Sequence, residues 1–381
     1  MKICIINNLI RPLGSGTERI VEIVTNGLIE KGHKVFIITT KPHDIDLPQI
    51  NMVKIYGLGG FSSSFYRLRE IPLFFRLFWH LINIFNLSNY FKVNRILKKE
   101  KPDLVITNNL MGVGFLTHFA IKKNQIKHYH ILHDVQLLHP SGLIIYGKEK
   151  IIDSGLAKIY QTINRQLFLR PDLIISPSEW LLKLHLSKGL FTDSKNIVLP
   201  NPIKNFETTE TAVRGDCFLC VGQVEPHKGI VFTIETFNHL EKKLKLSIIG
   251  SGSQIETAKE KAKVNPGISF LGQVDHEAIK DFMLTGKALI LPSLCYENSP
   301  TSIYEAFVCG LPVIGANIGG IPELLNDKCG ILFEPGNAED LKNKIDWFFD
   351  HSEEVSEMIE KAKKKIKTFD VNIYLDNILK N

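Results

Sequence analysis

The sequence has no long hydrophobic run, which argues against a helix that crosses a membrane. No stretch approaches the roughly 20 apolar residues that a spanning helix needs. The apolar stretch Ile3–Ile6, which follows Met1-Lys2, is too short for the core of a signal peptide. We therefore expect a cytoplasmic protein, bound at most to the inner surface of a membrane.

Cysteine is also scarce, with six residues scattered over a chain of 381. Cys217 and Cys220 have the spacing of a zinc-ligand pair, but no second pair and no histidine partner follows them. Both lie in an apolar run that predicts a strand, where alternation points the two thiols away from a common ligand. We interpret the cysteines as buried thiols of a protein in a reducing compartment.

The sequence also has no large excess of positive or negative charge, since its net charge is only +6. This modest balance gives no indication of nucleic-acid binding. The 44% hydrophobic and 23% charged residues are typical of a soluble globular protein, and the length suggests two to three domains. A polar stretch, 205–215, predicts a linker between two halves that both read as alternating strands and helices.

The stretch Leu289–Leu325 contains the clearest chemical pattern. Leu289–Leu291 predicts a strand, and Glu297 lies in the loop beyond it. Ser299 is predicted as an N-cap and Pro300 as the first helical residue, since proline gives up only an N–H that is unpaired there. Further along, Gly319-Gly320 indicates a close approach of the backbone.

This spacing predicts a site for a nucleotide sugar. The free amides of Thr301 and Ser302 point out of the helix N-terminus, which attracts an anion such as phosphate. Glu297 and Glu305 flank that position, and their carboxylates can accept hydrogen bonds from sugar hydroxyls.

The order of these motifs resembles the donor-site signature of the family 4 glycosyltransferases. Glu297 and Glu305 are separated by seven residues, AFVCGLPVI follows at 306–314, and GGIPE follows at 319–323. The resemblance implies a retaining enzyme of the GT-B fold, with two doubly wound α/β domains of Rossmann type that face each other across a cleft. It implies an acceptor domain at 1–204, a donor domain at 205–365 and a terminal helix, 366–381, that packs back on the first domain.

The segment from Gly222 to Gly229 resembles the family's Gly-Arg … Lys-Gly element, in which two cations neutralise the departing diphosphate. Lys228 matches the lysine, but Gln223 replaces the arginine, so one donor lacks a charge. Arg19 or His133 is a candidate for the missing cation. Val274 matches the position where the nucleotide base packs.

Gly14, Ser15 and Gly16 follow the first predicted strand, and two interpretations of them stay open. They resemble the family's loop under the donor diphosphate, and they also suit a plain tight turn. A dinucleotide site is disfavoured, because Arg19 stands where its third glycine belongs and no acid ends the second strand. His133, after another predicted strand, matches the family histidine beside the reacting sugar.

The segment Phe61–Lys101 combines large aromatic residues with eight basic residues and two acids. Such a composition suits a helix lying in the headgroup layer of an anionic membrane. The alternative is a helix buried in the first domain with arginines at its rim.

We therefore predict a hexosyltransferase that uses a nucleoside-diphosphate sugar and a glycan or lipid-linked acceptor of an envelope or exopolysaccharide. We expect no metal and no other cofactor: Asp44 and Asp46 form a DxD string in a polar loop that we interpret as solvated. The catalytic candidates are His133, Lys228 and Glu297. The donor-binding candidates are Gly14, Ser15, Gly16, Gln223, Lys228, Val274, Glu297, Ser299, Thr301, Ser302 and Glu305.

The alternatives are a nucleotide-sugar epimerase of the same architecture, a non-catalytic sugar-nucleotide or membrane-docking partner and, least favoured, a dinucleotide oxidoreductase.

Overall fold

A computed structural model describes residues 1–10, 16–42, 47, 53–168, 170–204 and 214–381. The candidates Gly14 and Ser15 and the acids Asp44 and Asp46 lie outside these residues, as do residues 205–213 of the predicted linker, 205–215. The chain divides into two α/β units. The first consists of 1–142, 150–202 and 371–381, and the second consists of 143–149 and 203–370.

The first unit is built on a parallel sheet of seven strands in the order β3-β2-β1-β4-β5-β6-β7. Its central strands are apolar and buried, which a parallel sheet with helices on both faces requires. The order changes direction between β1 and β4, and such a switch point is where doubly wound sheets bind ligands. Its strands are β1 (Lys2–Ile6), β2 (Lys34–Thr40), β3 (Lys54–Leu58), β4 (Leu104–Thr107), β5 (Lys127–Ile131), β6 (Leu173–Ser176) and β7 (Lys195–Val198).

The second unit is built on a parallel sheet of six strands in the order β10-β9-β8-β11-β12-β13. The two doubly wound domains predicted from the alternating pattern are therefore confirmed. Its strands are β8 (Cys217–Val221), β9 (Lys245–Ile249), β10 (Ile268–Gly272), β11 (Leu289–Leu291), β12 (Val313–Ala316) and β13 (Ile331–Phe333).

Helices connect the strands of both sheets. In the described residues none of them is both long and apolar enough to span a bilayer. They are α1 (Gly16–Glu30), α2 (Leu73–Ile84), α3 (Leu87–Glu100), α4 (Thr117–Lys123), α5 (Gly155–Leu167), α6 (Glu179–Ser187), α7 (Ile230–Asn238), α8 (Ile255–Ala262), α9 (His276–Thr285), α10 (Thr301–Val308), α11 (Ile321–Leu325), α12 (Ala338–Asp350), α13 (Ser352–Lys367) and α14 (Val371–Leu379), with 3₁₀ turns at Gly60–Glu70, Glu149–Asp153 and Pro226–Lys228.

The last helix, α14, packs on α1 within the first unit. A Cβ on Gly27 would lie 2.8 Å from Leu375 Cδ1 and 2.9 Å from Val371 Cγ2, so the absence of a side chain lets the helices approach closely. Lys31 and Asp376 form an ion pair of 2.7 Å across the same contact.

The spacing Ser253-x-x-Glu256 predicts a capping box at the start of α8. This prediction is wrong, because Gln254 occupies the N-cap and no described side chain caps the helix. The reason is a competing partner, because the N–H and the hydroxyl of Ser253 both donate to the carboxylate of Glu225, at 3.0 and 2.6 Å. By contrast, Ser178 follows an apolar run that predicts a strand and is itself predicted as an N-cap. This prediction is confirmed, since its hydroxyl accepts a hydrogen bond from Leu181 N.

Candidate active site

The centre of the candidate site is an ion pair between Lys228 and Glu297, which lie in loops after β8 and β11. These two strands are neighbours in the sheet, so their carboxyl ends bring the loops together. Gly229 fixes the first loop: its φ is +72°, and a Cβ there would lie 1.9 Å from Pro292 O. The backbone of Leu294 also donates to His227 O at 2.9 Å.

Glu297 is held from several directions. The buried Ser293 donates its hydroxyl to Glu297 Oε1 at 3.0 Å, the oxygen that also accepts from Lys228 Nζ. The backbone of Gly320 donates to Glu297 O at 2.7 Å, and a Cβ on Gly319 would lie 2.2 Å from that oxygen. The close approach predicted at Gly319-Gly320 is therefore confirmed, and it brings this backbone against that of Glu297.

The electrostatics of the pair favour a charged lysine. Burial lowers the pKa of Lys228, but the charge of Glu297 and the hydrogen bond to it outweigh burial, so the pKa is raised. Lys228 therefore keeps a charged ammonium group in the loop after β8. An anion from solvent can form an ion pair with this group, either together with Glu297 or in its place.

The start of α10 corrects the sequence prediction by one residue. Pro300 is the N-cap with extended backbone and Thr301 is the first helical residue, whereas Ser299 and Pro300 were predicted for these positions. Ser299 does not cap the helix because its hydroxyl hydrogen-bonds with the hydroxyl of Tyr304. No described side chain caps α10, so the half-buried Thr301 and Ser302 present their N–H groups at the positive end of the helix dipole.

The remaining donor-site candidates of the second unit lie at the carboxyl edge of the same sheet. Gln223 is exposed in the loop after β8, Val274 is half-buried after β10, and Glu305 is half-buried in α10. The loop of Gln223 packs against the loop after β9 without room for a side chain, since a Cβ on Gly250 would lie 1.9 Å from Gly222 O.

Residues 143–149 form a strap along the loop of Glu297, a feature that the sequence did not indicate. Ile145 and Cys295 form an antiparallel bridge, flanked by hydrogen bonds from Tyr146 N to Leu294 O at 2.9 Å and from Tyr296 N to Ile144 O at 3.0 Å. The hydroxyl of Tyr296 donates to Glu149 Oε1 at 3.0 Å. These partners are distant along the chain, and nothing in their composition predicts the pairing.

In the first unit, His133 follows β5 and its Nε2 lies 2.8 Å from Asn108 Oδ1. Burial lowers the pKa of His133 to about 4, so the ring is neutral at physiological pH and His133 is not the missing cation that the sequence offered as a candidate. Burial also raises the pKa of the adjacent Asp134 carboxyl to about 6, against a hydrogen bond from Gln136 N that lowers it. Gly16 is the first residue of α1.

The other histidines near β5 are part of the core. His128 Nε2 and His130 Nδ1 both hydrogen-bond with the hydroxyl of Thr107, at 2.8 and 2.9 Å. Across the described part of the chain, no group of three or more His, Cys, Asp or Glu side chains is placed to hold a metal ion.

Comparison with known proteins assigns both halves of the chain. Residues 204–365 match the family model described as glycosyl transferases group 1, and residues 14–204 match the model described as glycosyltransferase family 4.

Two relatives and one solved structure illustrate the similarity. An uncharacterized 42.6 kDa protein in the cps region of Klebsiella pneumoniae is 26% identical, over 85% of this chain and 87% of its own. The gpi3 subunit of the phosphatidylinositol N-acetylglucosaminyltransferase of Schizosaccharomyces pombe is 23% identical, over 94% of this chain and 76% of its own. The structure of HepE from Anabaena in complex with UDP has a TM-score of 0.74 at 16% identity, covering 100% of this chain and 99% of that protein.

Proposed function

The chain belongs to the family 4 glycosyltransferases and has their GT-B fold, and on this premise we propose that it transfers a hexose from a nucleoside-diphosphate sugar to a hydroxyl group with retention of configuration. The observation that carries the proposal is the ion pair of Lys228 and Glu297 at the carboxyl edge of the second sheet. This pair places a cation next to a carboxylate that can bind a sugar, in the half of the chain that matches glycosyl transferases group 1.

The diphosphate lies between Lys228 and the N-terminus of α10. Lys228 and the N–H groups of Thr301 and Ser302 bind it as negative charge develops on the leaving group. Gln223 adds a neutral donor from the same loop as Lys228, and Ser299 lines the start of the helix.

The sugar and the nucleoside are bound by neighbouring groups. Glu297 accepts hydrogen bonds from sugar hydroxyls and holds them in the pose that the oxocarbenium-like transition state requires. Glu305 accepts from the ribose, and the base packs at Val274. In the first unit, neutral His133 exchanges hydrogen bonds with a sugar hydroxyl, and Gly14, Ser15 and Gly16 contact the donor phosphates.

The reaction needs no metal ion on this proposal, because Lys228 and the terminus of α10 supply the positive charge. Transfer is therefore expected to continue in EDTA.

The acceptor is a lipid-linked or growing glycan at the cytoplasmic face of a membrane. The similarity to a subunit named for phosphatidylinositol supports a lipid acceptor, and the UDP complex of HepE supports a uridine nucleotide as a first donor to try. All six cysteines are free thiols, which suits the cytoplasm.

The test is transfer by Lys228→Ala and Glu297→Ala, after a thermal-shift screen has identified the nucleotide sugar that stabilises the folded protein. Each substitution should lower kcat/KM by about 100-fold or more, the usual loss when one transition-state contact is removed. The matched control is Lys261→Ala and Glu235→Ala, because these residues form an ion pair of 2.8 Å elsewhere in the same unit. Wild-type transfer by both site variants would refute the assignment.

The same assay separates the alternatives. An epimerase would convert the donor without any acceptor. A non-catalytic partner, which the uncharged Gln223 favours, would bind the donor tightly but would show no turnover with any acceptor.

A further inference from the structure

Helix α2 presents an apolar face to solvent. Its exposed residues are spaced as one side of a helix, at i, i+1, i+4, i+7, i+8 and i+11: Phe74, Phe75, Phe78, Leu81, Ile82 and Phe85. Phe74 is 70% exposed and Phe78 is 50% exposed, with ring centroids 5.5 Å apart. With about 200 Å² for a fully exposed aromatic side chain, the exposed face amounts to on the order of 600 Å². Monomeric soluble proteins rarely leave such a patch uncovered.

The orientation of α2 is fixed by its opposite side. Trp79 is 4% exposed, donates from Nε1 to Ser64 Oγ at 2.6 Å and stacks on Phe61 at 5.5 Å. Asn83 is buried and accepts a hydrogen bond from Gly112 N at 2.7 Å. The helix therefore buries Trp79, Asn83 and Ile84 and exposes its phenylalanines, whereas a helix that faces water exposes polar residues.

Helix α3 continues the pattern and adds charge. Leu87 and Phe91 are exposed one turn apart, and Phe91 is 61% exposed. The exposed basic residues Lys92, Arg95, Lys98 and Lys99 follow on the same helix. The one acid of α3, Glu100, is paired with Lys2 and Lys54, each at 2.7 Å.

The geometry points to an anionic membrane surface as the partner of this aromatic face, with the phenylalanines of α2 inserted among the lipid headgroups and the cations of α3 bound to acidic lipids. An apolar face beside basic residues is the pattern by which amphipathic helices bind membranes. A second copy of the chain fits less well, because a symmetric contact would bring the same basic residues together. The inference deepens the proposed function, because it names the membrane surface at which the protein would bind a lipid-linked acceptor. Only this statement about the acceptor rests on the proposed function.

The experiment is sedimentation of the full chain with vesicles of phosphatidylcholine, with and without phosphatidylglycerol. Wild type should bind the anionic vesicles, and the double variant Phe74→Ser/Phe78→Ser should bind them at least tenfold more weakly. Arg95→Gln should weaken binding roughly fivefold to anionic vesicles and leave binding to neutral vesicles unchanged. The matched control is Val264→Ser/Ile373→Ser, which removes two exposed apolar residues elsewhere and should bind as wild type.

Two further measurements keep the outcomes distinct. The donor should raise the melting temperature of the Phe74/Phe78 variant as much as that of wild type, which shows that the variant is folded. Lys228→Ala should bind vesicles as wild type does, even if it loses transfer. Equal vesicle binding by wild type and the Phe74/Phe78 variant overturns the inference. So does failure of wild type to bind anionic vesicles, or a dimer that the variant dissociates in the absence of lipid.

Discussion

At the scale of single residues, the site depends on how charge is shared among few groups. Lys228 is paired with Glu297, so a diphosphate that binds Lys228 shares its ammonium group with a carboxylate. Gln223 stands in the same loop and is exposed, but it adds no charge. On the proposed assignment, the positive field at a leaving diphosphate is therefore weaker than two cations would provide.

Restoring the second cation should strengthen this field. We expect Gln223→Arg to raise kcat/KM for the donor about tenfold, because a charge-assisted hydrogen bond to phosphate is roughly twice as strong as a neutral one. Steady-state transfer at low and high salt is the measurement, and the gain should shrink as salt increases. Gln223→Leu is the control without charge. An arginine variant no faster than wild type would show that the neutral donor is already sufficient.

At the scale of elements, the strap of residues 143–149 is the unexpected support of the site. It pairs with the backbone directly before Glu297, and the hydrogen bond from Tyr296 to Glu149 adds a side-chain link. Burial, followed by the nearby Glu149, raises the pKa of Tyr296 to about 12, so its hydroxyl stays protonated and can donate. We infer that the strap limits the motion of the Glu297 loop.

A double-mutant cycle tests this role. Tyr296→Phe and Glu149→Ala should each lower kcat roughly 3- to 10-fold, as expected when about 1 kcal/mol of positioning is lost. The double variant should be no slower than either single variant, since both remove the same hydrogen bond. Thermal unfolding serves as the control for stability. Losses that multiply in the double variant would mean that the two side chains act independently.

At the scale of the whole molecule, the core of the first unit contains several neutral histidines. His118, His128, His130 and His185 are all buried, and neither ring nitrogen of His118 has a hydrogen-bond partner among the described residues. Burial lowers the pKa of His128 to about 3 and that of His185 to about 4. The fold of this unit therefore depends on keeping these rings uncharged.

Acid should consequently destabilise the protein. Protonation is easier in the unfolded chain, where the pKa of a histidine is near 6.5. The contribution of the neutral histidines to the free energy of unfolding is therefore fully present above that pH and is lost as the pH falls towards 4. His185 alone should remove about 2 kcal/mol of unfolding free energy between pH 7 and pH 5. Urea unfolding at these two pH values measures the loss, and His118→Phe should reduce it. Equal stability at both values would contradict the expectation.

The amino-acid sequence by itself determined the two doubly wound sheets and the motif around Glu297. Both follow from local signals, namely apolar runs at strand spacing and a strand–loop–helix pattern ending in glycines. The apolar runs Cys217–Val221 and Leu104–Thr107, for example, coincide with β8 and β4. The roles of Lys228, Glu297 and the other donor-site residues stay predictions, and Gly14 and Ser15 lie outside the described residues.

Only the tertiary structure decided which partners these residues have. Ser299 and Ser253 look like helix caps in sequence, but Tyr304 and Glu225 hold their hydroxyls instead. The composition of 61–101 left the exposure of its aromatic residues open, because the same pattern suits a buried helix and a membrane-bound one. Side-chain orientation and strap pairing depend on contacts between residues distant along the chain, and local periodicity carries no information about such contacts.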